Sequence, residues 1–140
     1  MTALLPAMAG ANVLYGLGML DMGMTFSYTQ LLLDDEIATM VNRVTRGIDV
    51  NDITLAVDVI RDVAAGPDNH FLMEEHTMEY MKAEQQRAQL FDRLSRENWT
   101  VNGAEDAAKR AMKKAQQIYH DHKPLSLDAA VAKELRRIVG

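Results

Sequence analysis

The chain has 140 residues and a formal net charge of −5; 48% of it is hydrophobic, 25% is charged, and it contains no cysteine. That length accommodates one domain with a core of its own. The missing cysteine excludes a disulfide framework and a thiolate metal site and fits a reducing, cytoplasmic setting, and the mildly acidic balance gives no support to nucleic-acid binding.

The charge is unevenly placed. Up to Leu33 the only charged residue is Asp21, whereas the remainder is densely charged. A secretory signal requires a basic region ahead of its apolar run, and none precedes Leu4 and Leu5. A spanning helix requires about 20 largely apolar residues, and Pro6, Gly10, Asn12, Gly16, Gly18, Asp21 and Gly23 interrupt this one, so no membrane role is expected. The segment from Gly10 to Tyr28 reads instead as the buried centre of a larger body. Ala11 to Tyr15 favours a short strand, Gly16, Gly18 and Gly23 permit tight turns, and a helix follows. Strand, glycine turn and helix make one unit of an α/β protein, and in barrel folds the loop after the strand faces the active site.

Five helices are expected after this unit. Ser27 and Gln30 have capping-box spacing, and Leu33, Ile37, Met40, Val41 and Val44 form an apolar stripe as far as Arg46, where Gly47 stops the helix. Asp34, Asp35 and Glu36 near its start and Arg43 and Arg46 near its end suit the helix dipole. Asn51 or Asp52 caps a second helix lined by Ile53, Ala56, Val57, Ile60 and Val63, ending at Gly66-Pro67, with a loop through His70. A longer third helix opens at Thr77 and buries Tyr80, Met81, Leu90, Phe91 and Leu94. After Asn102-Gly103 a fourth runs from about Glu105 to His120, with Ala108, Ala111, Met112, Ala115, Ile118 and Tyr119 inward. Pro124 breaks the chain, and Ser126 or Asp128 starts a last helix packed through Val131, Leu135 and Ile138.

Several stretches carry a family resemblance. They are Gly10 to Tyr28 with its continuation Gln30-Leu31-Leu32-Leu33-Asp34-Asp35-Glu36-Ile37, the run from Gly47-Ile48-Asp49-Val50-Asn51-Asp52 to Ile60, Phe71-Leu72 with His76-Thr77, and His122-Lys123-Pro124 through Leu135-Arg136-Arg137-Ile138. In this order, and over nearly the whole chain, they resemble the carboxyl-terminal portion of the trimethylamine methyltransferase family, corrinoid-dependent enzymes that demethylate tertiary and quaternary amines. The resemblance implies a mainly α segment: the end of a TIM-type (β/α)8 barrel with a helical extension, and one or two short strands at most. Residues 1–140 would form a single domain, with the last barrel strand and helix units in 1–47 and the extension in 48–140. It also implies methyl transfer from an amine of the trimethylamine or glycine betaine type to a corrinoid (cobalamin) carried by a partner protein, with none bound directly here. The cofactor carries the hard step. The pyrrolysine expected to orient the amine in the trimethylamine enzymes would lie upstream of Met1, and relatives without it can hold a quaternary amine in an aromatic cage.

On that resemblance, Tyr15, Met19, Met24 and Phe26 stand at the substrate face of the barrel, where polarizable and aromatic groups meet a methylammonium or a corrin ring. The same residue types also serve as ordinary core. Asp21, an isolated carboxylate among apolar residues, requires a partner, either backbone or ligand. His70, Glu74, Glu75 and His76, and His120 with His122, lack metal-ligand spacing, and His76 near a helix start reads as structural. Lys109, Arg110, Lys113 and Lys114 read as a solvated helix face. Outside catalysis, the sequence also fits a helical oligomerisation module or a small-molecule-binding module. Leu14, Leu17, Leu20, Met22 and Met24 would leave an apolar patch unusual on a monomer, so a homo-oligomer is expected.

Overall fold

The computed structural model describes residues 1–67 and 70–139. In chain order, a short helix α1 (Leu4–Met8) leads to strand β1 (Met19–Leu20), a 3-10 turn (Asp21–Gly23) and strand β2 (Thr25–Phe26). There follow α2 (Tyr28–Arg46), α3 (Asp52–Leu55), α4 (Val57–Ala65), α5 (Glu75–Ala83), α6 (Arg96–Val101), α7 (Ala107–Asp121) and α8 (Ala129–Val139). The described chain is therefore mainly helical, as expected, with two short strands that pair antiparallel: Met19 opposes Phe26 and Leu20 opposes Thr25.

The strands are not where the sequence suggested. Ala11 to Tyr15 has no regular structure; an extended segment needs a neighbour to take its N–H and C=O groups, and this one has no strand beside it. The hairpin forms further along because Asp21, Met22 and Gly23 all take positive φ (50°, 51° and 87°) and reverse the chain between the strands. Gly18 enters this hairpin at φ +78°, where a Cβ would lie 2.8 Å from the Phe26 ring and 3.1 Å from Leu31.

Helix α2 begins and ends as its sequence specifies. The Ser27 hydroxyl accepts from the Gln30 N–H at 3.2 Å, and Gly47 stops the helix at φ +75°. The second half of the capping box does not form. The Gln30 amide turns forward to Asp34, and the Ser27 N–H donates to the Gly18 carbonyl.

The second expected helix is capped at Asn51 by a reciprocal box with Thr54 but is split at Ala56, which takes the left-handed conformation between α3 and α4. Of the loop expected after Pro67, Asp68 and Asn69 lie outside the described residues. The third helix is corrected most. It starts at Glu75 rather than Thr77 and ends at Ala83, leaving irregular chain to Ser95 and then the separate α6, capped by the Ser95 hydroxyl. Helix α7 starts on its Asp106 cap, and α8 follows Asp128, whose carboxylate accepts from the Ala130 N–H.

The core is small. Among the described residues only Val41, Val63, Leu90 and Ala111 are buried apolar side chains, and α2 against α7 is the principal helix pair. Ala111, with no exposed surface, lets the two backbones approach closely. The expected inward stripe of α7 is only partly covered: Met112, Ile118 and Tyr119 stay exposed. Val131, Leu135 and Ile138 of α8 are likewise exposed, not packed. The accessible surface is 11842 Å², against about 7,300 Å² for a compact monomer of this mass. The helices form, but few of their apolar faces find one another within this stretch of chain.

Replacing Gly18 with Ala is expected to lower stability by about 2–3 kcal/mol, from positive-φ strain plus the clash with Phe26. Gly10→Ala has the same sign of φ but open space around the new Cβ, and is expected to cost about 1 kcal/mol. Urea unfolding of both variants checks this; equal losses would show that no close approach exists at Gly18.

Candidate functional site

The front segment lies against the start of α2 and forms an open cleft of about 380 Å³ lined by, among others, Pro6, Val13, Tyr15, Leu17, Asp34 and Ile37. Its wall is fixed by Asp34. One carboxylate oxygen accepts from the Gly18 N–H at 2.8 Å and the other from the Gln30 side-chain amide at 2.7 Å. Asp34 thus ties the glycine turn to the helix. The sequence reading assigned it only to the helix dipole, although its i,i+4 spacing from Gln30 was a usable signal.

The five expected substrate-facing residues fall into two places. Tyr15 lines the cleft, with its side chain largely in solvent. Met19 and Phe26 are cross-strand partners on the hairpin, and Phe26 meets Tyr28 edge-on with ring centroids 5.4 Å apart. Met24 and Asp21 are exposed around the hairpin turn. Asp21 sits at an exposed turn, and its carboxylate takes no hydrogen bond or ion pair among the described residues. Met19, Phe26 and Tyr28 therefore make an accessible aromatic and thioether surface, with Tyr15 set apart in the cleft.

Among the described residues the one buried charged group was not singled out from sequence. Glu36, 8% exposed on α2, reaches the irregular chain after α5. There the N–H groups of Gln89, Leu90 and Phe91 donate to its carboxylate at 3.1, 2.8 and 3.1 Å. Burial alone would push the Glu36 carboxyl up; the N–H groups of Leu90, Phe91 and Gln89, with the Lys114 charge, outweigh it and hold it below its ordinary value. Around this anchor, Arg110 donates to the Leu90 carbonyl at 2.8 Å, Lys114 to the Gln89 side chain at 2.7 Å, and Arg43 pairs with Glu84.

Among the described residues no group of three or more His, Asp or Glu side chains is placed to hold a metal ion, and no helix is long and apolar enough to cross a membrane. His76 instead lies 3.0 Å from the Ile53 carbonyl and stacks on Tyr80, pinning α5 to α3.

The family model for trimethylamine methyltransferase matches residues 1–140. Trimethylamine methyltransferase MttB of Desulfitobacterium hafniense (strain DSM 10664 / DCB-2) is 45% identical over 139 residues, covering 99% of this chain and 27% of that protein. For trimethylamine methyltransferase MttB of Methanosarcina barkeri the identity is 40%, covering 99% of this chain and 28% of the relative. The glycine betaine methyltransferase of D. hafniense (strain Y51) is 33% identical, covering 99% and 29%. The family is one of methyltransferases, and this chain belongs to it: it is a member of the trimethylamine methyltransferase family. It spans little more than a quarter of the length of the curated relatives it matches.

Glu36→Gln is expected to destabilise the chain by about 2–3 kcal/mol at neutral pH, because an amide NH2 would face N–H donors that now share a charged acceptor. A carboxyl held below its ordinary pKa contributes stability above the unfolded value and loses it as pH falls through the folded one. The gap between wild type and variant should therefore be constant from about pH 6 to 8 and shrink below about pH 4.3. Urea midpoints across that range check it.

Proposed function

We propose that the protein to which this chain belongs transfers a methyl group from a tertiary or quaternary amine to a corrinoid protein, and that these 140 residues supply part of the amine-facing wall without catalysing the transfer alone. The observation that carries the reading is the unbroken family match across residues 1–140, with relatives named for trimethylamine and for glycine betaine. Identity is higher to the trimethylamine relatives, at 45% and 40%, than to the glycine betaine one at 33%, which supports trimethylamine as the first substrate to test.

The exposed hairpin fits both reactants. Met19, Phe26 and Tyr28 offer uncharged, polarizable surface, suited to a methylammonium cation through aromatic faces and to an apolar macrocycle through dispersion. A corrinoid carried by a partner protein would supply a nucleophilic cobalt(I) centre for the methyl group, with the C–N bond breaking and the demethylated amine as leaving group. This chain's part is to hold that surface in position for the amine: the Ser27 N–H donates to the Gly18 carbonyl at 2.8 Å, and the Asp34 carboxylate accepts from the Gly18 N–H. Because orientation must be held to a few tenths of an ångström, an open cleft with no opposite wall cannot complete the reaction. The TIM-type barrel is the proposed source of that wall, and the uncovered surface also supports assembly into a homo-oligomer.

The test follows the cobalt(I) to methylcobalt(III) spectral change when a reduced corrinoid protein and methylated amines are mixed with the intact protein or with the 140 residues alone. Turnover by the intact protein only is expected. Turnover by the short chain overturns its assignment as part of a wall, and no turnover with any methylated amine overturns the activity. In the intact protein, Phe26→Ala is expected to raise KM about tenfold, since its ring is part of the aromatic surface offered to the methylammonium.

A further inference from the structure

A second cleft, along the carboxyl-terminal half of α2, shares no lining residue with the first. It has a volume of about 840 Å³ and lies between the end of α2, the irregular chain after α5 and one residue of α7. Its floor is apolar: Met40, Val44, Phe91 and Leu94. Four guanidinium groups and one carboxylate line it, on a chain whose net charge is −5.

Those arginines differ in state. Arg43 and Arg110 are spent on the fold: Arg43 donates to Glu84 and to the Gly47 carbonyl, and Arg110 to the Leu90 and Glu105 carbonyls, with Asp92 at 3.6 Å. Arg87 and Arg93 are exposed and enter no ion pair among the described residues. They stand on backbone held by the Glu36 anchor at Gln89–Phe91, so part of the cost of ordering a binding loop is already met.

We propose that this cleft docks an acidic, amphipathic segment of a protein partner, with apolar side chains on the Met40, Val44, Phe91 and Leu94 floor and carboxylates on Arg87 and Arg93. Arginine beside half-buried aromatic and methionine side chains, here Phe91 and Met40, with Val44 and Leu94 exposed, is the composition enriched at protein interfaces. The cation excess on an acidic chain selects a partner of opposite charge. Methyl transfer is not a premise of this docking.

The experiment uses the intact protein and a fluorescein-labelled Glu/Leu amphipathic helical peptide, with Gln/Leu and Lys/Leu versions as controls, read by fluorescence anisotropy. Arg87→Glu with Arg93→Glu is compared with Lys109→Glu with Lys133→Glu, which changes the net charge equally at exposed positions of α7 and α8, and circular dichroism confirms that both variants are folded. Saturable binding of the acidic peptide alone, weakened at least about tenfold by the arginine pair, unchanged by the lysine pair and diminished by salt, is the expected result. Equal binding of the three peptides, equal loss in the two variants or no binding overturns the proposal. Binding of inorganic phosphate at the same arginines without the acidic peptide also overturns it, and assigns the cleft to a small anion.

Discussion

The arrangement after α5 depends on one carboxylate. Glu36 leaves α2 and takes three consecutive backbone N–H groups, from Gln89, Leu90 and Phe91. In a helix those donors would close onto carbonyls four residues earlier; given to a buried charge, they cannot. The same bonds that hold Glu36 ionised keep the segment out of a helix, and the buried carboxylate satisfies donors that would otherwise be orphaned next to Leu90, one of the few buried apolar side chains.

The placement of α7 follows from that segment. Arg110 reaches from α7 to the Leu90 carbonyl and Lys114 reaches to Gln89, so the peptide groups bound to Glu36 on one side are bound to α7 on the other. Ala111 lies between these two residues with no exposed surface, which brings α7 onto α2 at its smallest side chain. At the segment's start, Glu84 is gripped twice from α2, by Arg43 and by Arg46 at 2.9 Å. Exposed pairs of this kind contribute little each. Here they act jointly, since both fix the point at which α5 ends.

What was legible in the sequence was local. The Ser27 start, the Gly47 stop, the Asn51 cap and the Gly66 end all rest on bonds or φ preferences within a few residues, and such signals are carried by neighbours in sequence. The Glu36 anchor joins residues 54 apart, and nothing near Glu36 distinguishes it from Asp35, which is exposed. The spacing of Leu90, Phe91 and Leu94 suits a helix, but it reports only apolar positions and not where their N–H groups go. Ala56 is a further case: its φ of +51° splits the second helix at a residue that favours helices. The candidate site was legible as a region but not as a geometry. Of the residues from Tyr15 to Tyr28, Met19, Phe26 and Tyr28 come together at the hairpin while Tyr15 lies apart in the cleft, and Asp34, which ties the hairpin to α2, was read only as a helix-dipole residue.

The excess of exposed apolar surface is itself organised. Met19, Leu20, Met22, Met24 and Phe26 are all exposed on one hairpin, yet the hairpin has a defined register and is held to α2 through Gly18. A segment exposed only for want of a core would have no reason to be so fixed, because ordering backbone costs on the order of 1–2 kcal/mol per residue and must be offset by contacts. Here the offset comes from polar bonds to α2 rather than from burial of the hairpin's own side chains, which remain available. The hairpin's conformation is thus set by its polar bonds to α2 and not by cover over its apolar groups.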